Sequence, residues 1–418
     1  MSKRKFLIFS ILAVGGLFAA ACGPAPFECD DALGCVDIAP GDPVKIASIQ
    51  VISGDLTSLG LDEVRGVEIA IADLGGEILG HPITLQSEDG ECSPDGGTTA
   101  ATKIVADPQV IGIVGTSCSG AGEAASQIMS DAGFVMISGS NTAPSLTSSP
   151  LGVAKGEAWQ PGYFRTAHND EVQGTAVANF VFNELGITKA ASVHDGDPYT
   201  SGLAAVFNRE FEAFGGEIVL ATAINKGDTD MRPMLTSVAA AGAELLFFPI
   251  FQPEGDFIVF QSKEVDGFEN ITLMGADGLL SDTYVESVGD DGVGSYYSGP
   301  EVTSSAAYDA FLTAYSDTYG EEPIQAFHAF AYDAALMLLG AIEAVAVEDD
   351  DGTLHIGRQA LRDYLYANSF SGLTGNLTCD EYGDCAGQLI QIVQLDDPSA
   401  GISGMRANVV FSCAAPCK

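Results

Sequence analysis

Short β-branched runs alternate with helical patterns twice along the chain, and this recurrence constrains the fold more tightly than any other feature of the sequence. In the first set, strands are expected at residues 44–52, 83–87, 110–115 and 134–138, with helices at 62–74, 97–106 and 120–132. The second set places strands at 190–194, 217–223, 244–250 and 271–274, with helices at 171–185, 201–214, 231–241 and 255–265. Strands separated by helices of about 10 to 15 residues indicate βαβ units and parallel sheets. The expected fold class is therefore α/β, with two doubly wound parallel-sheet lobes. A length of 418 residues agrees, because it exceeds what one hydrophobic core usually supports. Beyond the second set the pattern is mostly helical, at 306–319, 325–347 and 356–366, and a short strand pair is expected around 377–378 and 389–395. The acidic run Glu348, Asp349, Asp350, Asp351 ahead of Gly352 reads as a solvated loop, since it lacks the alternating ligands of an EF-hand.

Charge narrows the partners. Lys and Arg total 17 against 57 Asp and Glu, a formal net charge of −40. Phosphate neutralisation needs clustered cations, so nucleic acid is excluded as a partner, and electrostatic docking on an anionic membrane is disfavoured. With 46% hydrophobic and 18% charged residues the chain nonetheless has the composition of a folded protein. Residues 1–21 have the layout of a signal peptide: Lys3, Arg4 and Lys5, an apolar run over 6–18, then Ala19, Ala20 and Ala21 before Cys22. Small residues directly before a cysteine resemble the bacterial lipobox, although Ala19 stands where leucine is usual. On this reading Cys22 is acylated, residues 22–43 with Pro24, Pro26, Pro40 and Pro43 form a tether, and the protein sits in the periplasm or cell envelope. An ordinary cleavage site leaving Cys22 free is the competing reading. No later stretch is long and apolar enough to span a bilayer.

Export places the other cysteines in an oxidising compartment. Nine cysteines less Cys22 can pair completely, and proximity favours Cys29–Cys35, Cys379–Cys385 and Cys413–Cys417, with Cys92–Cys118 as the remaining pair. No CxxC pair is present and His81, His168, His194, His328 and His355 are scattered, so neither a metal nor a cofactor is expected.

In open α/β sheets, ligands sit beyond the carboxyl ends of the strands. Three such ends are small and polar: Thr116, Ser117, Cys118, Ser119, Gly120; then Ser138, Gly139, Ser140, Asn141, Thr142; and Gly275, Ala276, Asp277, Gly278. Free amides at the positive end of a helix starting at Ser119 can hold a carboxylate without arginine, which suits a chain so poor in cations. The Ser119 and Thr142 hydroxyls would complete that shell, and Asp277 would face a ligand ammonium across an interlobe cleft. Singly, Ser119 reads as an N-cap and Ser140 and Thr142 as turn residues. Their combination points to a zwitterion site.

With these loops, residues 44–395 resemble the type I periplasmic binding proteins of bacterial ABC importers, in particular the leucine/isoleucine/valine-binding branch. The resemblance implies a Cys92–Cys118 disulfide, with Ser119 following its second cysteine as a carboxylate ligand. The run Met136, Ile137, Ser138, Gly139, Ser140, Asn141, Thr142, Ala143, Pro144 is similar to the family's next loop, which implies a main-chain contact at Ser140 and contacts to carboxylate and ammonium at Thr142. His194, Asp195, Gly196, Asp197, Pro198, Tyr199 resemble the segment whose tyrosine lines the cleft, and Asp277 stands at the family's acidic ammonium ligand. Phe251 replaces an expected tyrosine, Leu59 an expected aromatic, and Asp277 the commoner glutamate, so the amino-acid anchor is retained while branched-chain specificity is not implied. The family pattern further implies one lobe of 44–164 plus 299–376, a second of 165–298 plus 377–418, a three-crossing hinge, a monomer, and delivery of ligand to an ABC permease in the membrane.

Two other classes compete. Gly120, Gly122 and Ala125 form a GxGxxA after a strand, but the acidic residue a dinucleotide site needs about 20 residues on is missing, and no GxSxG elbow or catalytic set stands out. An enzyme is therefore not expected. A ligand-sensing receptor of the same fold, without a permease, is the alternative that fold alone does not separate.

Overall fold

A strand buried on both faces must be apolar throughout, and residues 110–115, Val-Ile-Gly-Ile-Val-Gly, are all buried in the computed structural model, which describes residues 27–148 and 154–418. The expected signal peptide at residues 1–21, with Cys22, Pro24 and Pro26, lies outside the described residues. In chain order the first lobe contains β1 (Cys35–Ile38), β2 (Val44–Gln50), α1 (Thr57–Asp73), β3 (Glu77–Ile78), β4 (His81–Asp89), α2 (Pro94–Val105), β5 (Val110–Gly115), α3 (Ser119–Asp131), β6 (Val135–Ser138) and β7 (Tyr163–Arg165). Its sheet has the order β3-β4-β2-β5-β6-β7, parallel except for the β3–β4 hairpin.

The second lobe follows with α4 (Asp170–Asn179), β8 (Lys189–His194), α5 (Pro198–Phe214), β9 (Glu217–Ala223), α6 (Arg232–Ala241), β10 (Leu245–Phe247), α7 (Glu254–Ser262), β11 (Thr272–Gly275), α8 (Asp282–Val288) and β12 (Tyr296–Pro300). The chain then returns through α9 (Ala306–Tyr319), α10 (His328–Val345), β13 (Val347–Glu348), β14 (Leu354–Gly357), α11 (Arg358–Ala367), β15 (Ser369–Ser371) and β16 (Asn376–Thr378). It ends with β17 (Leu389–Gln394), α12 (Gly401–Ala407) and β18 (Val409–Ala414). The second sheet has the order β18-β17-β12-β11-β10-β8-β9, with β17 antiparallel to both neighbours. Contrary to the expectation that no later stretch could span a bilayer, α10 is long and apolar enough by length and composition, but 67% of it is buried inside the body, as in a core helix. Its apolar surface covers the first sheet, where a Cβ added to Gly112 would lie 2.6 Å from Leu338.

The tail and the N-terminal stretch depart from expectation. Residues 377–378 and 389–395 do not pair: β16 pairs with β15, while β17 lies between β12 and β18. β7 and β12 had escaped notice because one spans three residues and the other ends in the breakers Gly299 and Pro300. Nor is the stretch before residue 44 a free tether throughout. β1 pairs antiparallel with β14, burying Val36 and Ile38, because its alternating apolar residues complete the core beside α11. Asp31 caps α11, accepting the Gln359 and Ala360 amides at 2.9 and 3.0 Å. Disulfides join Cys29–Cys35, Cys92–Cys118, Cys379–Cys385 and Cys413–Cys417.

Candidate functional site

Parallel strands deliver their carboxyl ends to one edge of each sheet, and here the two edges face each other. After β5 the chain turns through Thr116, Ser117 and Cys118 into α3. The Ser117 hydroxyl accepts the Val51 amide at 3.0 Å and donates to Gln50 Oε1 at 2.8 Å. After β6, Ser138 Oγ accepts the amides of Ser140 and Asn141 and donates to the Thr116 carbonyl at 2.8 Å, tying this loop to the first. Across the cleft Asp197 caps α5 by accepting the Tyr199 amide at 2.9 Å, while β10 and β11 lead into Phe251 and Asp277.

These loops line a narrow, nearly filled cavity of about 10 Å³. Leu59, Ser117, Cys118, Ser119 and Ser140 line it from the first lobe, with Phe327 just before α10. Tyr199, Phe251, Asp277 and Gly278 line it from the second. No lining residue is cationic, so a bound anion would rely on hydroxyls, amides and the start of α3. At the opposite wall Asp277 Oδ1 accepts from Gln173 Nε2 at 2.6 Å and from the Tyr199 hydroxyl at 3.2 Å. Burial pushes its carboxyl up to about 6. Gln173 also donates to Ser298 Oγ at 2.9 Å and bonds His168, whose imidazole burial depresses to about 4.

Six of the expected residues thus converge on one cavity: Leu59, Ser119, Ser140, Tyr199, Phe251 and Asp277. Thr142 stands one layer back, its hydroxyl donated to Asp170 Oδ2 at 3.1 Å. Asp170 is fully buried, and burial followed by the neighbouring Asp277 charge raises its carboxyl well above the usual range. Its Oδ1 has no partner. Sequence reasoning also missed Glu63, which lies behind Ser140 and which burial lifts to about 8. An acid inside the apolar face of α1 was the available signal. Phe327 gave none, because it reaches the cleft from a segment far along the chain with no motif of its own.

The lobes also touch around the cavity. Lys226 Nζ donates to the Cys92 carbonyl at 3.1 Å. Asp197 presses so closely on the start of α3 that a Cβ at Gly120 would lie 2.6 Å from its Oδ2. At the crossings, Arg165 on β7 and Asp384 in the loop before β17 form a buried ion pair. Arg165 Nη1 donates to the Asn141 and Ala143 carbonyls at 3.1 and 2.9 Å. Asp384 accepts from Thr147, Ser148 and Asn169 at 2.9, 2.9 and 3.0 Å. Burial alone would raise the Asp384 carboxyl; Arg165 holds it below its ordinary value.

Two α/β lobes with a buried polar cavity between their strand ends define a two-lobed α/β protein with an interlobe site. The family model described as periplasmic binding protein matches residues 43–401, and the chain belongs to that family, one of extracytoplasmic solute-binding proteins. The leucine-, isoleucine-, valine-, threonine-, and alanine-binding protein of Pseudomonas aeruginosa is 27% identical over 348 residues, covering 82% of this chain and 87% of the relative. The branched-chain amino acid transporter substrate-binding protein LivJ of Streptococcus pneumoniae, solved with isoleucine, matches with a TM-score of 0.72 at 23% identity, covering 90% of this chain and 99% of that one. A Rhodopseudomonas palustris solute-binding protein of an ABC transporter, solved with benzoate, has the same fold with a TM-score of 0.72 at 20% identity, covering 89% and 95%.

Proposed function

We propose that this protein is the extracytoplasmic solute-binding component of an ABC importer, and that it captures an amino acid, of branched-chain type or a related small zwitterion, between its lobes. The observation that carries this reading is the polarity of the cavity. Hydroxyls and the start of α3 occupy one wall, the buried acid Asp277 the other, and apolar Leu59, Phe251 and Phe327 lie between. A carboxylate is served by the first wall and an ammonium by the second. An acid without an ammonium group would face Asp277 with no compensating charge.

On this reading the lobes, 44–164 with 299–376 and 165–298 with 377–418, close by hinge motion about the three crossings and release the ligand to a membrane permease. Cys22 would carry the lipid that keeps the protein at the membrane. Calorimetric titration with the twenty amino acids, small amides and carboxylates including benzoate tests the ligand class: an amino acid binds best, and tightest binding by a purely anionic compound would overturn the assignment. Metabolic labelling with palmitate, lost in Cys22→Ser, tests the anchor. Permease and ATPase genes beside this one favour import over sensing, whereas a kinase or chemoreceptor gene favours the reverse.

A further inference from the structure

Glu63 on α1 is fully buried behind the hydroxyl wall of the cavity. Its Oε1 lies 2.7 Å from Ser140 Oγ, and the same hydroxyl lies 2.7 Å from the Ser117 carbonyl oxygen. A serine hydroxyl has one hydrogen, and a carbonyl oxygen only accepts. Ser140 therefore supplies a hydrogen to one of these two contacts, and the other needs a hydrogen from its far side. Only a protonated Glu63 can provide it. Glu63 Oε2 has no partner.

The surrounding charges do not offset an ionised Glu63. On its own helix, Asp62 adds negative charge beside it, and Arg65 is engaged by Glu321 and Tyr315. His328 of α10 and Tyr315 of α9 bond Asp62 rather than Glu63, and the buried Arg406 of α12 is likewise coupled to Asp62. From β2, Gln50 meets Glu63 only through Ser117.

We propose that Glu63 is a positioning residue, held as a neutral acid, that gives its hydrogen to Ser140, so that the Ser140 hydroxyl donates to the Ser117 carbonyl and ties together the two loops that would hold a carboxylate. If Glu63 ionises, the single Ser140 hydrogen turns back to it, the Ser117 carbonyl loses its donor, and the two oxygens repel across the loops that form the carboxylate wall. The value of about 8 set chiefly by burial places that reversal just above neutrality. The inference rests on the cavity being a carboxylate site.

Two measurements test it. In titrations with the tightest-binding amino acid, the ratio of wild-type to E63Q affinity falls about tenfold between pH 7 and pH 9, because an amide keeps a donor and cannot ionise. E63L, which offers no hydrogen, binds more weakly than E63Q at every pH. A wild-type to E63Q ratio that stays flat, or an E63Q as weak as E63L, would overturn the proposal. Infrared difference spectra of ligand-free protein, wild type minus E63Q, show a carboxylic-acid C=O band at pH 7 that disappears with a midpoint near 8. Absence of that band at pH 7 overturns the proposal by itself. Failure of every amino acid to bind would instead count against the proposed function, and the infrared titration would still decide the state of Glu63.

Discussion

Buried acidic side chains at the hinge and at the cavity differ in one respect. At the hinge Asp384 has a cation, Arg165, and three further hydrogen-bond donors, and its carboxyl is held below the ordinary range. At the cavity Asp277, Asp170 and Glu63 have hydroxyl and amide partners but no cation in hydrogen-bonding contact, and all three carboxyls are pushed up by burial. Two of them keep an unpartnered oxygen. A carboxyl with a cation beside it keeps its charge and fixes geometry, whereas a buried one without a cation is driven toward its neutral form, and of the three only Asp277 lines the cavity where a ligand's positive charge could reach it.

The contrast predicts a series of effects. Asp384→Ala leaves Arg165 buried and unpaired, so the unfolding free energy falls by about 3–5 kcal/mol in denaturant titrations. A loss below 1 kcal/mol would remove the distinction between the clusters. Asp277→Ala should change the ligand-free melting temperature little, since removing a buried carboxyl offsets the Tyr199 hydroxyl left without its acceptor and Gln173 keeps Ser298 as a partner. The same variant should weaken amino-acid binding by about 10- to 100-fold, the range for a hydrogen bond to a charged group. Unaltered affinity would withdraw Asp277 as the ammonium partner.

Acid titration separates the clusters further. Asp277 has its folded value raised to about 6, so it loses charge as pH falls through that value, and affinity for an ammonium-bearing ligand should drop about tenfold from pH 7 to pH 5. The sign is opposite for the hinge: Asp384, depressed in the folded state, stays ionised across this window, and its stabilisation is lost only at more acid pH. An affinity that rises on acidification would contradict the assignment. The smallest effect is expected for Tyr199→Phe, which removes one of two donors to Asp277 and should cost about two- to tenfold in affinity. Calorimetry showing a loss as large as that of Asp277→Ala would mean that the hydroxyl contacts the ligand directly.

The alternation of apolar strands and helices was enough to read both lobes, because each βαβ unit is a local pattern of hydrophobic period. The polar strand ends led to Ser119, Ser140 and Asp277 for the same reason, each being adjacent to its strand. What escaped was long-range. The Arg165–Asp384 pair joins residues 219 apart, and neither flank suggests a partner. Glu63 was hidden because a glutamate near the start of a helix is ordinarily a solvated residue, and only the packing of the next two strand ends over α1 makes it internal. The strand Cys35–Ile38 was read as tether because prolines and acids surround it; its partner, Leu354–Gly357, lies at the other end of the chain.

The contact between Gly120 and Asp197 sets how closely the two halves of the molecule come together. Since even one methyl carbon would meet the Asp197 carboxylate at 2.6 Å, alanine at this position would force that carboxylate, the N-cap of α5, to shift. The hydrogen on one α-carbon is thus a mechanical tolerance between the start of α3 and the Asp197 cap of α5.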